Sequence, residues 1–207
     1  EYGVGTMGAE ARKFADFLSD AGQQYWQLLP ICPTSYGDSP YQSFSTFAGN
    51  PYFIDLDLLA AEGLLDKKEY VSVNWGDDAS RIDYGRLYEQ RYPVLKLAAK
   101  RFLENEPEDF ETFCELQAFW LEDYALFLAC KDANDGRSWL DWPDMYRSPS
   151  PEYKEELKQL LQKEAGYYKF LQFIFFTEWS RLKAYANEKG IQIIGDIPIF
   201  VSMDSAD

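Results

Sequence analysis

Two segments with the same order of elements lie near the two ends of the 207-residue chain. In each, apolar residues recur at helical spacing, a glycine (Gly22 or Gly190) follows the helix, and a strand-like apolar run comes next. The sequence predicts a helix over 9–20 and a strand over 25–31 in the first segment, and a helix over 173–189 and a strand over 191–195 in the second. Both strands read as almost continuously apolar, as strands buried on both faces do. This pattern favours an α/β fold with a parallel sheet or barrel.

The sequence between these two segments has a different character. Leu, Phe, Tyr and Trp recur at helical spacing among charged residues, which predicts helices over 84–104, 107–131 and 150–163. Residues 132–148 are rich in Asp, Gly, Ser and Pro and predict a loop. We interpret this stretch as a helical subdomain inserted between two consecutive strands.

A long polar and aromatic segment follows the first predicted strand. It breaks at Pro30 and Pro33 and continues for about twenty residues, a length that is usually functional or disordered within a compact domain. Its aromatic content argues against disorder. Rings beside hydroxyl, amide and carboxylate groups suit a neutral ligand with many hydroxyls, such as a sugar. The residues at the tip of this predicted binding loop are Tyr36, Asp38, Ser39, Tyr41 and Gln42. A loop ordered by its own side chains is the alternative.

Composition excludes several classes of function. The chain has 20 basic and 35 acidic residues, a net charge of −15, so nucleic acid would be repelled and is not expected as a partner. Histidine is absent, which removes His-based triads and His-ligated metals. Three cysteines without C-x-x-C spacing indicate free thiols in a reducing cytoplasm, and we expect no metal site. No run approaches eighteen apolar residues, so no membrane span is predicted.

Gly3, Gly5 and Gly8 match the spacing G-x-G-x-x-G of dinucleotide-binding proteins. That motif requires a preceding strand and an acidic residue at the end of the next strand, where this sequence has Ile31-Cys32-Pro33. A glycine-rich turn leading into the first helix is the favoured interpretation. A dinucleotide-dependent oxidoreductase is therefore a weak alternative, and no cofactor is expected.

Asp196 directly follows the second predicted strand. A carboxylate at the carboxyl end of a barrel strand lies where substrate contacts and catalysis concentrate. An aspartate that only caps the strand end by bonding nearby backbone is equally compatible with the sequence. Glycoside chemistry needs two carboxylates that face each other about 5 to 9.5 Å apart, and spacing among so many acidic residues identifies no such pair.

Two long motifs and one short one resemble a known family. GDSPYQSFSTFAGNPYFIDLDLL (37–59), GDIPIFVSMDSAD (195–207) and the opening YGVGTMG (2–8) resemble the 4-α-glucanotransferases, also called amylomaltases or disproportionating enzymes. The resemblance implies an α/β fold, here a partial (β/α)8 TIM barrel with an inserted helical subdomain. It divides the chain into the start of the barrel (1–58), the helical insertion (59–165) and the return to the barrel (166–207).

The resemblance also implies a function and a set of site residues. Such enzymes move α-1,4-glucan segments between maltooligosaccharides, starch or glycogen by a retaining mechanism with a covalent glycosyl-enzyme intermediate. Ser39 and Tyr41 match substrate contacts beside the scissile bond, Tyr36 matches a more distant glucan contact, and Asp196 matches an aspartate that supports the active-site floor.

No catalytic residue is assigned within this chain. The nucleophile and the acid/base are expected beyond residue 207, so we interpret the chain as an amino-terminal portion that is inactive alone. A non-catalytic module that binds starch-like chains is the alternative function.

Overall fold

The computed structural model describes residues 2–35, 37–78, 80–147, 150–199 and 202–207. Its helices are α1 (Ala9–Asp20), α2 (Leu56–Ala61), α3 (Tyr84–Leu103), α4 (Glu108–Leu116), α5 (Ala118–Ala133), α6 (Asp144–Arg147), α7 (Pro151–Leu160) and α8 (Gln162–Glu188). Short 3-10 helices span Pro51–Phe53, Lys67–Glu69 and Trp139–Asp141. The strands are β1 (Tyr25–Gln27) and β2 (Gln192–Ile194).

The two strands form a parallel pair, as the sequence predicts. Tyr25 lies opposite Gln192 and Gln27 opposite Ile194, and Leu28 extends the ladder by donating its N–H to the carbonyl of Ile194 at 2.9 Å. The predicted burial of both faces is wrong for the described chain, because Tyr25 is 56% and Ile194 47% exposed. In this two-stranded sheet the first and third residues of each strand are exposed, whereas Trp26 and Ile193 between them are half-buried.

Helix α8 is the centre of the fold. It packs against α1, α3, α4 and α5, so the helices of the predicted insertion share one core with the elements at the chain ends. Aromatic rings dominate this core: the ring centroids of Phe102 and Phe170 lie 5.0 Å apart, and those of Phe110 and Phe173 lie 5.4 Å apart. Burial of these large aromatic side chains stabilises the packing around α8. The division at 58 and 165 stays a prediction.

Several predicted boundaries are wrong for local reasons. The predicted helix over 107–131 is two helices, α4 and α5, separated at Gln117, whose side-chain oxygen accepts a hydrogen bond from Trp120 Nε1 at 2.8 Å. Helix α7 ends at Leu160, and α8 begins at Gln162 rather than 173, because Leu161 alone departs from helical geometry between them. The predicted loop over 132–148 contains the 3-10 helix Trp139–Asp141 and α6.

Candidate functional site

The predicted binding loop is fixed to the fold at both of its ends. Asn50 N–H donates to the carbonyl of Ile31 at 2.9 Å, which closes the loop at its base. Nearer the tip, Thr34 and Ser43 form an antiparallel bridge, and Ser35 N–H donates to the carbonyl of Gln42 at 3.0 Å. These backbone bonds order the loop, in agreement with its aromatic composition.

Residues 206 and 207 pack against this loop and form hydrogen bonds with it. Asp207 accepts hydrogen bonds from Ser45 Oγ at 2.9 Å, from Thr46 N at 2.6 Å and from Thr46 Oγ1 at 2.7 Å. Ala206 N–H donates to the carbonyl of Phe44 at 2.8 Å. Two of the motifs that resemble the family are therefore hydrogen-bonded neighbours in space, through residues 161 or 162 positions apart in sequence.

Three of the four predicted site residues lie together. Tyr41 Oη donates a hydrogen bond of 2.9 Å to Asp196 Oδ2, although the two residues are 155 positions apart. Ser39 adjoins them, since its Oγ accepts a hydrogen bond from Tyr41 N–H at 3.3 Å. Asp196 also receives the N–H of Ile197 on its other carboxylate oxygen at 2.8 Å, so the strand-end capping interpretation holds in part. Tyr36 lies outside the described residues.

The position of this cluster matters for its chemistry. Asp196 follows the carboxyl end of β2, and the loop that carries Tyr41 follows the carboxyl end of β1. The carboxyl ends of parallel strands are where barrel enzymes place their substrates. The contact with Asp196 raises the pKa of Tyr41, because a carboxylate that accepts the phenolic proton disfavours its loss. Tyr41 thus remains a hydrogen-bond donor at neutral pH, and the residue as a whole is 48% exposed.

A cleft of about 1190 Å³ lies beside the loop. Its walls are the loop itself, α3, the second half of α5, the start of α8 and the segment around Asp204. Seven tyrosines line it. Tyr88 lies at its exposed rim, and the other six, which are buried or half-buried, are Tyr52, Tyr84, Tyr92, Tyr124, Tyr167 and Tyr168. Asp38 and Gln42 of the predicted loop tip also line it, whereas Ser39, Tyr41 and Asp196 do not.

The polar groups of the cleft include one buried hydroxyl without a partner and several groups that other side chains hold in position. Tyr167 Oη has no hydrogen-bond partner among the described residues, although it is buried. Burial raises the pKa of Tyr52 to about 12, so its hydroxyl is neutral. Tyr168 Oη donates to Asp132 at 2.8 Å, and Lys131 forms an ion pair with Asp204. Such mixtures of rings and hydrogen-bonding groups are suited to a polyhydroxyl ligand.

The sequence-based predictions missed most of this cleft. Tyr84, Tyr88 and Tyr92 occur at four-residue spacing on α3, which is also the pattern of a core-facing stripe. The distinguishing signal is that this stripe is made of tyrosine alone, whereas the buried positions of the same helix include Leu95 and Ala98. When every ring of a stripe carries a hydroxyl, that face of the helix is expected to border a polar space such as a cleft and not an apolar core.

The segment with Gly3, Gly5 and Gly8 forms a turn that leads into α1, which is the interpretation that the sequence favours. A Cβ on Gly8 would lie 2.0 Å from Asp55 Oδ2, so this glycine allows close packing of the α1 start against α2. Gly3 has φ +83°, a left-handed conformation that favours glycine. Within the described ranges, no three Cys, Asp or Glu side chains come together as a metal site. No helix in the part of the chain that the structure describes is long and apolar enough to cross a membrane.

The fold is that of part of an amylomaltase. Amylomaltase from Streptococcus agalactiae in complex with acarbose matches with a TM-score of 0.94 and 42% sequence identity, over 99% of this chain and 42% of that one. Amylomaltase from Corynebacterium glutamicum shares the fold at 17% identity, with a TM-score of 0.72.

The sequence identifies the family. The family profile described as 4-alpha-glucanotransferase matches residues 1–207, and the chain therefore belongs to that family. The 4-alpha-glucanotransferase of Clostridium butyricum is 49% identical over 207 residues, which cover all of this chain and 42% of that protein. The Thermus thermophilus 4-alpha-glucanotransferase is 49% identical over 210 residues, which cover all of this chain and 41% of that protein. The chain thus spans about two fifths of the length of these relatives, and the resemblance seen in the motifs is confirmed.

Proposed function

We propose that this chain is part of a 4-alpha-glucanotransferase that moves α-1,4-glucan segments between maltooligosaccharides. Family membership supports this proposal, and the observation that carries it is the hydrogen bond between Tyr41 and Asp196 at the carboxyl end of the parallel strands. The bond joins two of the motifs that resemble the family, since Tyr41 belongs to 37–59 and Asp196 to 195–207. The substrate is a maltooligosaccharide, starch or glycogen chain, and no cofactor takes part.

In this proposal the cluster contacts the sugar beside the bond that breaks. The exposed ring of Tyr41 offers an apolar face to a pyranose, and its hydroxyl is held in one direction by Asp196. Ser39 supplies a small hydroxyl at the same point. A side chain held in advance of binding loses less entropy when the substrate arrives, which favours a productive geometry.

The chemical step itself needs a carboxylate nucleophile and a second carboxylate that acts first as acid and then as base. The resemblance places both outside these 207 residues, and we keep that assignment as part of the proposal. Retention of anomeric configuration follows from two successive displacements through the covalent intermediate.

The cleft is proposed to hold glucan further from the reacting bond. Its tyrosines and its unpartnered Tyr167 hydroxyl suit a chain of glucose units. Asp38, which lines the cleft, directly precedes Ser39 in the loop, so the cleft lies next to the cluster of predicted site residues. An acceptor sugar held in place reaches the glycosyl-enzyme before water, which favours transfer over hydrolysis. Tyr36, the predicted distant contact, belongs to the same stretch of loop.

A non-catalytic glucan-binding module is the second candidate. The observation in its favour is the cleft lined by tyrosines, with the unpartnered Tyr167 hydroxyl in it, which suits binding without catalysis. Three free cysteines support a reducing compartment, and we propose the cytoplasm for either function.

The test is maltotriose disproportionation by the complete natural polypeptide and its Tyr41→Phe variant. The wild type should produce glucose together with longer maltodextrins, and Tyr41→Phe should lower kcat/KM at least about tenfold by releasing Asp196. Tyr25→Phe is the matched control, because Tyr25 is similarly exposed but lies on β1 away from Asp196. Binding of maltotriose without any turnover by the wild type would favour the binding module instead.

A further inference from the structure

A second cavity, of about 420 Å³, lies in the helical part of the chain. Its walls come from α5, the 3-10 helix Trp139–Asp141, α6 and α7, and we call it the tryptophan pocket. The residues that give it its chemistry are Trp139, Trp142, Tyr146, Asp123, Arg147 and Lys154. Its volume is within the range of about 300–1,000 Å³ that small-molecule sites have.

The tryptophan pocket and the tyrosine-lined cleft share no lining residue. Helix α5 separates them: Asp123, Phe127 and Cys130 line the pocket, whereas Tyr124 and Lys131 line the cleft. Positions 123, 127 and 130 share one helix face, and 124 and 131 share another. The two cavities are therefore distinct, on two faces of one helix.

The aromatic groups of the pocket are fixed in position. Trp139 Nε1 donates to the carbonyl of Met203 at 2.6 Å, and Trp142 Nε1 donates to the carbonyl of Arg137 at 3.0 Å. The Trp142 ring also packs on Phe127, with ring centroids 5.5 Å apart. Because both indole N–H groups are already bonded within the protein, the tryptophans meet the pocket through ring carbons, with most of that surface from the half-buried Trp139 since Trp142 is only 6% exposed. Rigid aromatic surface binds the apolar faces of a ligand at a low cost in entropy.

The polar groups of the pocket are balanced in charge and remain partly free. Lys154 Nζ lies 2.8 Å from Asp123 Oδ1, and Arg147 Nη2 lies 2.5 Å from Asp144 Oδ1. Lys154 and Arg147 are 43% and 44% exposed, so their remaining N–H groups can donate to a ligand. Each cation already has a carboxylate beside it, which disfavours an anion. Donors and acceptors around fixed rings fit a neutral sugar.

We propose that the tryptophan pocket binds one or two glucose units of a long α-glucan and so holds polymeric substrate at a second point. The proposal rests on the proposed function for the choice of sugar. Segment 202–206 borders both cavities, with Asp204 in the cleft and Ser205 and Ala206 in the pocket. A polymer chain or branch that engages both sites binds with a higher effective concentration than one that engages a single site. A trisaccharide gains nothing from the second site.

The experiment compares glycogen binding with maltotriose turnover in the complete natural polypeptide. Glycogen binding is measured as retardation in native gels that contain glycogen, which requires no catalysis. Tyr146→Ala and, separately, Lys154→Ala should each weaken glycogen binding about tenfold and leave kcat/KM for maltotriose unchanged. Met145→Ala is the matched control, because Met145 neighbours Tyr146 on α6, is 43% exposed and does not line the pocket.

The results of this experiment distinguish a failure of the pocket proposal from a failure of the proposed function. Glycogen binding equal to wild type in both pocket variants would overturn the proposal. An equal loss of glycogen binding and maltotriose turnover would also overturn it, because the residues would then act through the cleft or the fold. A wild type that turns over no maltotriose, but whose glycogen binding depends on Tyr146 and Lys154, would contradict the proposed function and support the pocket. If Tyr146→Ala does not fold, Lys154→Ala decides, since Lys154 is partly exposed.

Discussion

The side chain of Gln172 pairs with the backbone of Gly49 through two hydrogen bonds in the core. Gln172 Nε2 donates to the Gly49 carbonyl at 3.0 Å, and Gln172 Oε1 accepts the Gly49 N–H at 2.7 Å. The glutamine is fully buried on α8, and the glycine lies at the end of the predicted binding loop. This pair joins positions 123 residues apart and fixes the loop, with Tyr41 at its tip, to the central helix.

Replacing Gln172 should therefore destabilise the protein strongly. Gln172→Leu keeps similar volume but leaves both the N–H and the carbonyl of Gly49 buried without partners, at a cost of about 2–4 kcal/mol in the free energy of unfolding. Urea denaturation followed by circular dichroism measures this loss. Gln159→Leu is the control, because Gln159 is exposed on α7 and should change stability little. A Gln172→Leu variant as stable as the control would show that the pair contributes nothing.

Gly49 should tolerate no side chain. A Cβ at this position would lie 2.0 Å from the Phe175 ring, which is itself 1% exposed and cannot move aside. Gly49→Ala is expected to destabilise the protein by about 1–3 kcal/mol or more, through overpacking. Gly5→Ala is the matched control, since no atom lies within 4 Å of its Cβ position.

A second substitution tests the cause of this cost. Phe175→Ala removes the ring atoms Cγ, Cδ1 and Cε1 that a Cβ on Gly49 would meet. The double variant should therefore lose less stability than the sum of the two single variants. Denaturation of all four proteins measures this coupling. Strict additivity would mean that strain elsewhere, rather than contact with Phe175, accounts for the Gly49→Ala loss.

The sequence predicted local features of this fold well and distant ones poorly. Helix α1 has the predicted bounds of Ala9–Asp20, because its apolar spacing and the following Gly22 are local signals. The parallel pairing of β1 and β2 was also predicted, from the repeated order of helix, glycine and strand. Nothing local marks Gln172 as the partner of Gly49, since polar residues within an apolar helix are compatible with many partners.

The candidate site shows the same limit. A resemblance in the motifs named Tyr41 and Asp196 separately, and the fold places them 2.9 Å apart. The tyrosine-lined cleft was not predicted, because Tyr84 and Tyr92 have the spacing of a core stripe and their common cavity depends on how α3 packs beside α5 and α8. Tertiary packing decides whether such a stripe meets other side chains or a cleft.

The three cysteines should react slowly while the protein is folded. Burial raises the pKa of each of Cys32, Cys114 and Cys130 to about 11, because desolvation disfavours the thiolate. At about pH 8 only about one thiol in a thousand is then ionised, and the thiolate is the reactive form. Reaction with a chromogenic disulfide reagent measures the rate of each thiol.

Cys114 should give the fastest phase, since it is less buried than the other two. Cys114→Ser should remove that phase and leave the slow ones. Unfolding in urea supplies the control, because all three thiols should then react at the rate of free cysteine. A folded protein whose Cys32 reacts as fast as in urea would contradict the burial argument.

Glu178 should make the protein less stable as the pH rises. Its side chain is 3% exposed, accepts the Asp55 N–H at 2.9 Å on Oε2, and faces Arg91, Asp55 and Glu62. Burial raises the pKa of Glu178 well above its ordinary value of 4.5, and the charges of Asp55 and Glu62 add to this. The hydrogen bond from the Asp55 N–H and the charge of Arg91 oppose the shift without cancelling it. The folded chain then holds the proton more tightly than the unfolded chain, so stability falls by up to about 1.4 kcal/mol per pH unit between those two pKa values.

Glu178→Gln should remove this pH dependence. The glutamine keeps an oxygen for the Asp55 N–H but has no proton to lose, so the variant should gain on the wild type as the pH rises above 4.5. Urea denaturation at intervals across the neutral and alkaline range gives the difference in unfolding free energy directly. Glu188→Gln, at an exposed position of the same helix, should run parallel to the wild type throughout. Equal slopes for wild type and Glu178→Gln would mean that Arg91 compensates the buried carboxylate fully, and that Glu178 is ionised in the folded protein.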